Sequence, residues 1–141
     1  MKLNDAARDL IGSGADATLV TLNPDGSPQV SVVWMALDQT GADDELVTAH
    51  LSGQYKKVRN VRADERVAVT IVSTAPGKAL RPYLSITGTA RIVEGGAPEL
   101  LHDLAAVLLG PDSGFPPEDA PPGYLTRIRI EKVGGVGPWI Q

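Results

Sequence analysis

Apolar residues recur along most of this chain at every second position, the spacing of half-buried strands, and at helical spacing in only a few short stretches. Residues 4 to 12 read as a short helix. Asn4 or Asp5 caps it, Ala7, Leu10 and Ile11 share a side, and Gly12 and Gly14 offer stops. Ala17 to Leu22 reads as a strand. Asn23-Pro24-Asp25-Gly26-Ser27 is a turn, because proline fixes φ and glycine supplies a positive one. A second strand, Pro28 to Leu37, follows at once, so the pair forms a hairpin. This strand is apolar on both sides, with Val30, Val32 and Trp34 on one and Val33, Met35 and Leu37 on the other. Such a strand packs a core with one face and a partner or ligand with the other.

The third strand, Glu45 to Ser52, alternates Val47, Ala49 and Leu51 against Thr48, His50 and Ser52. The pattern sets the second group on the outer face. After Gly53 the basic stretch Tyr55 to Ala63 reads as helical. Val67, Val69 and Ile71 mark a fourth strand, and Ala75-Pro76-Gly77 a turn. Leu84, Ile86, Gly88, Ala90 and Ile92 define one face of a fifth strand. Ala97 to Leu109 carries a leucine-rich helical stripe. A loop with five prolines follows, then a sixth strand from Tyr124 to Val133 and an irregular tail from Gly134 to Trp139. Six strands joined mostly by tight turns, with a few short helices, give a mainly β fold: a closed or nearly closed antiparallel barrel.

The chain has 141 residues, which suits one domain, residues 1 to 141. It has no cysteine, so disulfides and thiolate chemistry are excluded. Any redox work must sit on a bound organic cofactor or on a metal held by other ligands. Two histidines are poor material for a metal site, and no Asp, Glu and His cluster has ligand spacing. No apolar run spans a bilayer and the first residues lack a signal-peptide core, so the expectation is a cytoplasmic protein with no membrane partner. The net charge of −4 speaks against nucleic-acid binding. The positive charge is uneven, however: Lys56, Lys57, Arg59, Arg62 and Arg66 are five of the thirteen basic residues.

That cluster follows the end of strand three. A helix starting near Tyr55 would aim free backbone N–H groups and its positive dipole end where the two lysines lie, which makes an anion site of the phosphate type. The alternative is a solvated basic helix face. His50 is either a hydrogen-bonded spectator or a functional side chain. His102, within the leucine stripe, is a surface residue. Ser31 and Ser85 have no histidine base, so nucleophilic catalysis lacks support.

Several ordered segments carry a family resemblance. They are Leu19-Val20-Thr21-Leu22, Asp25 to Ser31 with Val33, Val47 to Leu51, Lys57, Arg59-Asn60-Val61-Arg62, Asp64 to Val69, and Gly88-Thr89-Ala90-Arg91. Together they resemble the pyridoxamine-phosphate-oxidase-like split β-barrels over about residues 4 to 133. The ending from Arg127 to Val133, through Gly137-Pro138-Trp139, is similar to the branch that uses the deazaflavin coenzyme F420.

The resemblance implies a six-stranded, Greek-key, antiparallel split barrel, the FMN-binding split barrel, working as a homodimer with cofactor sites at the interface. It implies that Ser31, Val32, Val33 and Trp34 lie along the cofactor ring. It places the cofactor phosphate at Lys57, with Lys56, Ala49 and His50 beside it, Asn60 just behind, and Tyr83 reaching the partner's cofactor. Where the vitamin-processing oxidases carry a strand-two arginine this chain has Ser31, and their C-terminal arginine and histidine pattern is not visible, so vitamin oxidation is not expected. The reading is an oxidoreductase passing a hydride between coenzyme F420 and a small organic substrate. FMN is the alternative cofactor, and a non-catalytic cofactor carrier and an oligonucleotide-binding barrel are the rival classes.

Overall fold

The computed structural model describes residues 1–75 and 79–140. The proposed turn at Ala75-Pro76-Gly77 therefore lies in part outside the described residues. Its elements are α1 (Asp5–Ile11), β1 (Ala15–Leu22), β2 (Pro28–Asp38), β3 (Glu45–His50), α2 (Lys56–Ala63), β4 (Arg66–Val72), β5 (Tyr83–Glu94), α3 (Ala97–Leu108) and β6 (Tyr124–Val136). The strands close into an antiparallel barrel in the order β1-β2-β3-β6-β5-β4, with β4 returning to β1. This is the six-stranded, mainly β architecture that the alternation pattern implied. Among the described residues no helix is long and apolar enough to cross a membrane.

The barrel interior is filled by the inward residues of each strand. Leu19, Met35, Leu46, Val69, Ile71, Leu84, Ile86 and Ile128 are all essentially inaccessible. α1 supplies Ala7 and Ile11 to the same core. It is capped as the sequence suggests, with Asn4 Oδ1 accepting from Ala7 N at 2.9 Å and Gly12 in a positive-φ conformation at the other end. Asp44 fixes this helix to the barrel. Fully buried, it accepts hydrogen bonds from Leu3 N at 2.8 Å and from Arg8 Nε at 3.1 Å. α3 lies outside the barrel against β3 and β2, burying Ala97, Leu101, Leu104 and Ala105.

Two expectations are corrected. The polar side of β3 does not face outward: Thr48 and His50 are buried with Leu46, on the side turned to the barrel interior. The reason is that α3 covers the outer side of the strand, so β3 is enclosed on both faces. Second, Gly134-Gly135-Val136 is not an irregular tail but the end of β6, with Gly135 opposite Leu84 and Gly134 opposite Ser85. Glycine is needed at 135, where φ is +102° and a Cβ would strike the Tyr83 carbonyl oxygen. A strand built of glycines carries no alternation to read.

β5 and β6 shift register at Thr87 and Gly88, where Gly88 pairs with Ile130 and Thr87 with Lys132. Glu131 is the extra residue of that bulge. A Cβ at Gly88 would overlap the Arg129 carbonyl oxygen. Gly88→Ala is expected to cost about 3 kcal/mol of stability, an overpacking penalty, read from the midpoint of chemical denaturation. A variant as stable as the parent would mean that the bulge relaxes freely.

Candidate functional site

The site begins where a ladder ends. β2 and β3 pair only through Ala36–Val47, Leu37–Leu46 and Asp38–Glu45. Arg127 of β6 clasps the last pair. Its guanidinium donates to Asp38, and its Nε donates to Glu45 at 3.2 Å. Arg91 of β5 holds the same Glu45 through bonds of 2.7 and 3.2 Å. Two carboxylates facing each other across antiparallel strands repel, and the guanidiniums convert that repulsion into attraction.

On the other side of this clasp the strands diverge. β2 stays paired with β1 as far back as Pro28, and β3 stays paired with β6 as far as His50. The edges they turn toward each other have no strand partner there. Main-chain N–H and C=O groups in that position require water or a ligand.

The gap holds a cavity of about 290 Å³. β2 contributes Val32, Val33 and Trp34, and β3 contributes Thr48, Ala49 and His50. Toward the fork, Trp34 meets Phe115 edge to face, ring centres 5.8 Å apart, with Leu101 of α3 alongside and Asp16 at the rim. Toward the open end lie Leu51, Tyr55 and Lys57. The lining is mostly apolar with a few polar groups, as in small-molecule sites generally, and the volume is at the small end of their range.

Lys57 is the feature that chemistry singles out. It is half-buried on the first turn of α2, and burial lowers its pKa. It joins no ion pair among the described residues. Its ammonium lies 5.4 Å from the centre of the Tyr55 ring. Tyr55 is the N-cap of α2 and offers no side-chain acceptor; Val58 N–H donates to the Tyr55 carbonyl at 3.0 Å, and the Lys56 and Lys57 N–H groups keep their donors free among the described residues. His50 is neutral: burial first, and the charge of Lys57 second, push its pKa down to about 4. Its Nε2 sits 2.8 Å from Thr126 Oγ1. A partly desolvated cation, free N–H donors and a neutral imidazole make a place for an anion.

The cavity brings together Val32, Val33, Trp34, Ala49, His50 and Lys57 from the expected set. Ser31 stands beside them on β2, its Oγ buried without a hydrogen-bond partner. Lys56 is exposed on the neighbouring helix surface. Asn60 is turned away: its Nδ2 donates to Thr21 Oγ1 and Asn23 Oδ1, both at 3.0 Å, and ties α2 to the β1–β2 hairpin. Tyr83 lies outside this cavity, on the far strand β5. Sequence reasoning missed Asp16, Thr48, Leu51, Tyr55, Leu101 and Phe115 as lining residues. The scarcity of aromatics was the signal for Phe115, the only phenylalanine, whereas nothing local marks Leu101 or Asp16.

Two uncharged rows cross the outer barrel face beside the cavity. Across β2, β1, β4 and β5 run the rows Val32–Thr18–Thr70–Ser85 and Val30–Val20–Ala68–Thr87. Val32 is 70% exposed and Val30 59%.

Comparison with known proteins follows from this geometry. The family model for pyridoxamine 5'-phosphate oxidase matches residues 3–137. The solved structure of an F420 reductase is 25% identical with a TM-score of 0.72, over 90% of this chain and 94% of that one. A conserved hypothetical protein from Mycobacterium tuberculosis is 24% identical with a TM-score of 0.72, over 95% and 84%. The heme storage protein from Vibrio cholerae is 17% identical with a TM-score of 0.62, over 97% and 96%. The last two share the fold. No curated protein matches the chain in sequence.

The buried neutral histidine has a consequence for stability. The unfolded chain takes up a proton at this imidazole below about pH 6.5, and the folded chain does so only near pH 4. Its contribution is complete above pH 6.5 and is lost as pH falls, by up to about 1.4 kcal/mol per unit. The melting temperature of the parent should therefore fall more steeply between pH 6.5 and 4.5 than that of His50→Gln. Parallel curves would show that the fold does not lower the His50 pKa.

Proposed function

The chain belongs to the pyridoxamine 5'-phosphate oxidase family, and on that premise we propose that it is an oxidoreductase that binds coenzyme F420 in the β2–β3 cleft. It would pass a hydride between that coenzyme and a small organic substrate. The observation that carries this reading is Lys57, half-buried and without a counter-ion among the described residues at the mouth of the cleft. The residues fit a planar, phosphorylated cofactor. The cleft has an apolar wall, unpaired strand edges and a cation beside a helix start, and next to its lining on β2 the Ser31 Oγ is buried without a partner among the described residues. When bound, such a cofactor supplies the two-electron chemistry that no side chain of this protein can.

The protein's own part is to bind, orient and exclude water. Lys57 and the first-turn N–H groups of α2 take the phosphate. The free edge of β2 from Ser31 to Trp34 offers main-chain donors and acceptors to the polar rim of the ring. Val32 and Val33 shield its face. His50, neutral and engaged with Thr126, lies beside Lys57 and Tyr55 at the phosphate end and leaves Lys57 as the cation of the cavity lining. Lys56, Arg59 and Arg62 are exposed and outside any ion pair among the described residues. They favour F420, with its longer acidic tail, over FMN, and the likeness to an F420 reductase points the same way.

We also propose a homodimer. The uncharged rows headed by Val30 and Val32 leave two large apolar side chains mostly exposed, a surface that a second copy would cover. A cavity of about 290 Å³ is small for a phosphorylated ring system, so a second copy would complete the site. Tyr83 would reach the other copy's cofactor there.

Titration with both cofactors tests the reading. Lys57→Ala should weaken binding by about 1.5–3 kcal/mol, roughly ten- to a hundredfold, with the fold intact. Unchanged affinity would place the phosphate elsewhere, and binding of FMN alone would remove F420. Val30→Lys, outside the cavity, should yield monomers by light scattering and lower cofactor affinity. A parent protein that is monomeric at all concentrations would remove the dimer.

A further inference from the structure

Among the described residues the cavity lining has a cation, Lys57, at one end and none at the other. The fork end is a corner of Trp34, Leu101 and Phe115, with Asp16 opposite Trp34 in the β1–β2 ladder. The chain has six aromatic residues, and three of them, Trp34, Tyr55 and Phe115, line this one cavity. Phe115 stands at 85° to Trp34. Rings at right angles form a corner rather than a stack, so each keeps surface that a third flat ring can touch. Phe115 is 36% exposed and is not part of the core.

The segment that carries Phe115 is unusual in how little else holds it. Between residues 111 and 121 the hydrogen bonds among described residues are local, from Phe115 N to Ser113 Oγ and from Ala120 N to Pro117 O. Its end is tied down at Gly123, whose carbonyl accepts from Gly95 N at 2.7 Å. The contact on Trp34 is what seats its tip. A ring held there by no main-chain need is placed for the cavity.

We infer that this corner is the substrate subsite, that it takes a neutral, flat aromatic ring, and that Phe115 sets this specificity. The inference rests on the cofactor reading: with a phosphate at Lys57 and a ring along β2, the fork-end corner flanks the ring. Charge sorts the ligand class. An anionic substrate would meet the Asp16 carboxylate, and among the described residues no cation lines this end of the cavity, Arg81 belonging to the adjoining pocket on the far side of Asp16 and Val32. A saturated ring of equal size would forgo the edge-to-face contact.

Three probes test this by calorimetry: 2-naphthol, its saturated counterpart decahydro-2-naphthol, and naphthalene-2-sulfonate, each titrated into cofactor-loaded and cofactor-free protein. 2-Naphthol should bind about tenfold more tightly than the other two. Phe115→Ala should lose about that factor for 2-naphthol while cofactor affinity stays within about twofold. Equal affinity for the three probes would overturn the inference. So would a Phe115→Ala variant that loses cofactor as strongly as naphthol, since the corner would then belong to the cofactor ring. Asp16→Asn, at an exposed position, keeps the test open if the loop variant misfolds: it should admit naphthalene-2-sulfonate and leave 2-naphthol unchanged, and no gain in sulfonate binding would count against the corner. If neither F420 nor FMN binds the parent protein, the cofactor reading falls, and the naphthol series on cofactor-free protein still decides the corner.

Discussion

A ladder of three residue pairs between β2 and β3, closed by Arg127 between Asp38 and Glu45, determines where this molecule has a cleft. The β1–β4 seam is equally short, at three pairs, whereas β1–β2, β3–β6, β4–β5 and β5–β6 pair over six or more. If these two strands ran together along their full lengths, Val32, Trp34, Ala49 and His50 would meet partners across a ladder and there would be no cavity. The guanidinium clasp holds the strands together at one end so that they can part at the other. Arg91 reinforces it from β5, and together the two arginines keep the Glu45 carboxyl below its usual pKa range.

The electrostatics of the cleft follow from the same divergence. β3 leaves the ladder still paired to β6, delivers His50 to a buried position beside Thr126, and hands the chain to α2 within a few residues. Lys57 thus lands on the first turn of a helix, partly out of water, next to an imidazole that its own charge helps to keep neutral. Asn60, on the buried side of the same helix, holds it to Thr21 and Asn23. Position and charge are both consequences of a short helix docked across the open barrel end.

Much of this was legible in the sequence because it rests on local chemistry. Alternation located all six strands, Asn4 and Gly12 marked the ends of α1, and Lys57 stood out by following a strand end in a basic run. What was not legible depends on elements distant in the chain. Thr48 and His50 face inward because α3, some fifty residues later, covers the other side of β3. Asp44 is one acidic residue in a polar turn until the N-terminal segment folds back on it. The strand at Gly134 and Gly135 is invisible to any pattern of side chains, because it is the absence of side chains that admits the β5 backbone. Phe115 joins Trp34 across some eighty residues, beyond the reach of spacing arguments.

Closure of the barrel carries one more consequence. Unpaired strand edges recruit strands from other chains, and closed barrels avoid this by having none. Here the edges of β2 and β3 beyond their three pairs stay open, and they lie inside the cleft. A molecule that filled the cleft would therefore also cover strand edges that could otherwise recruit another chain.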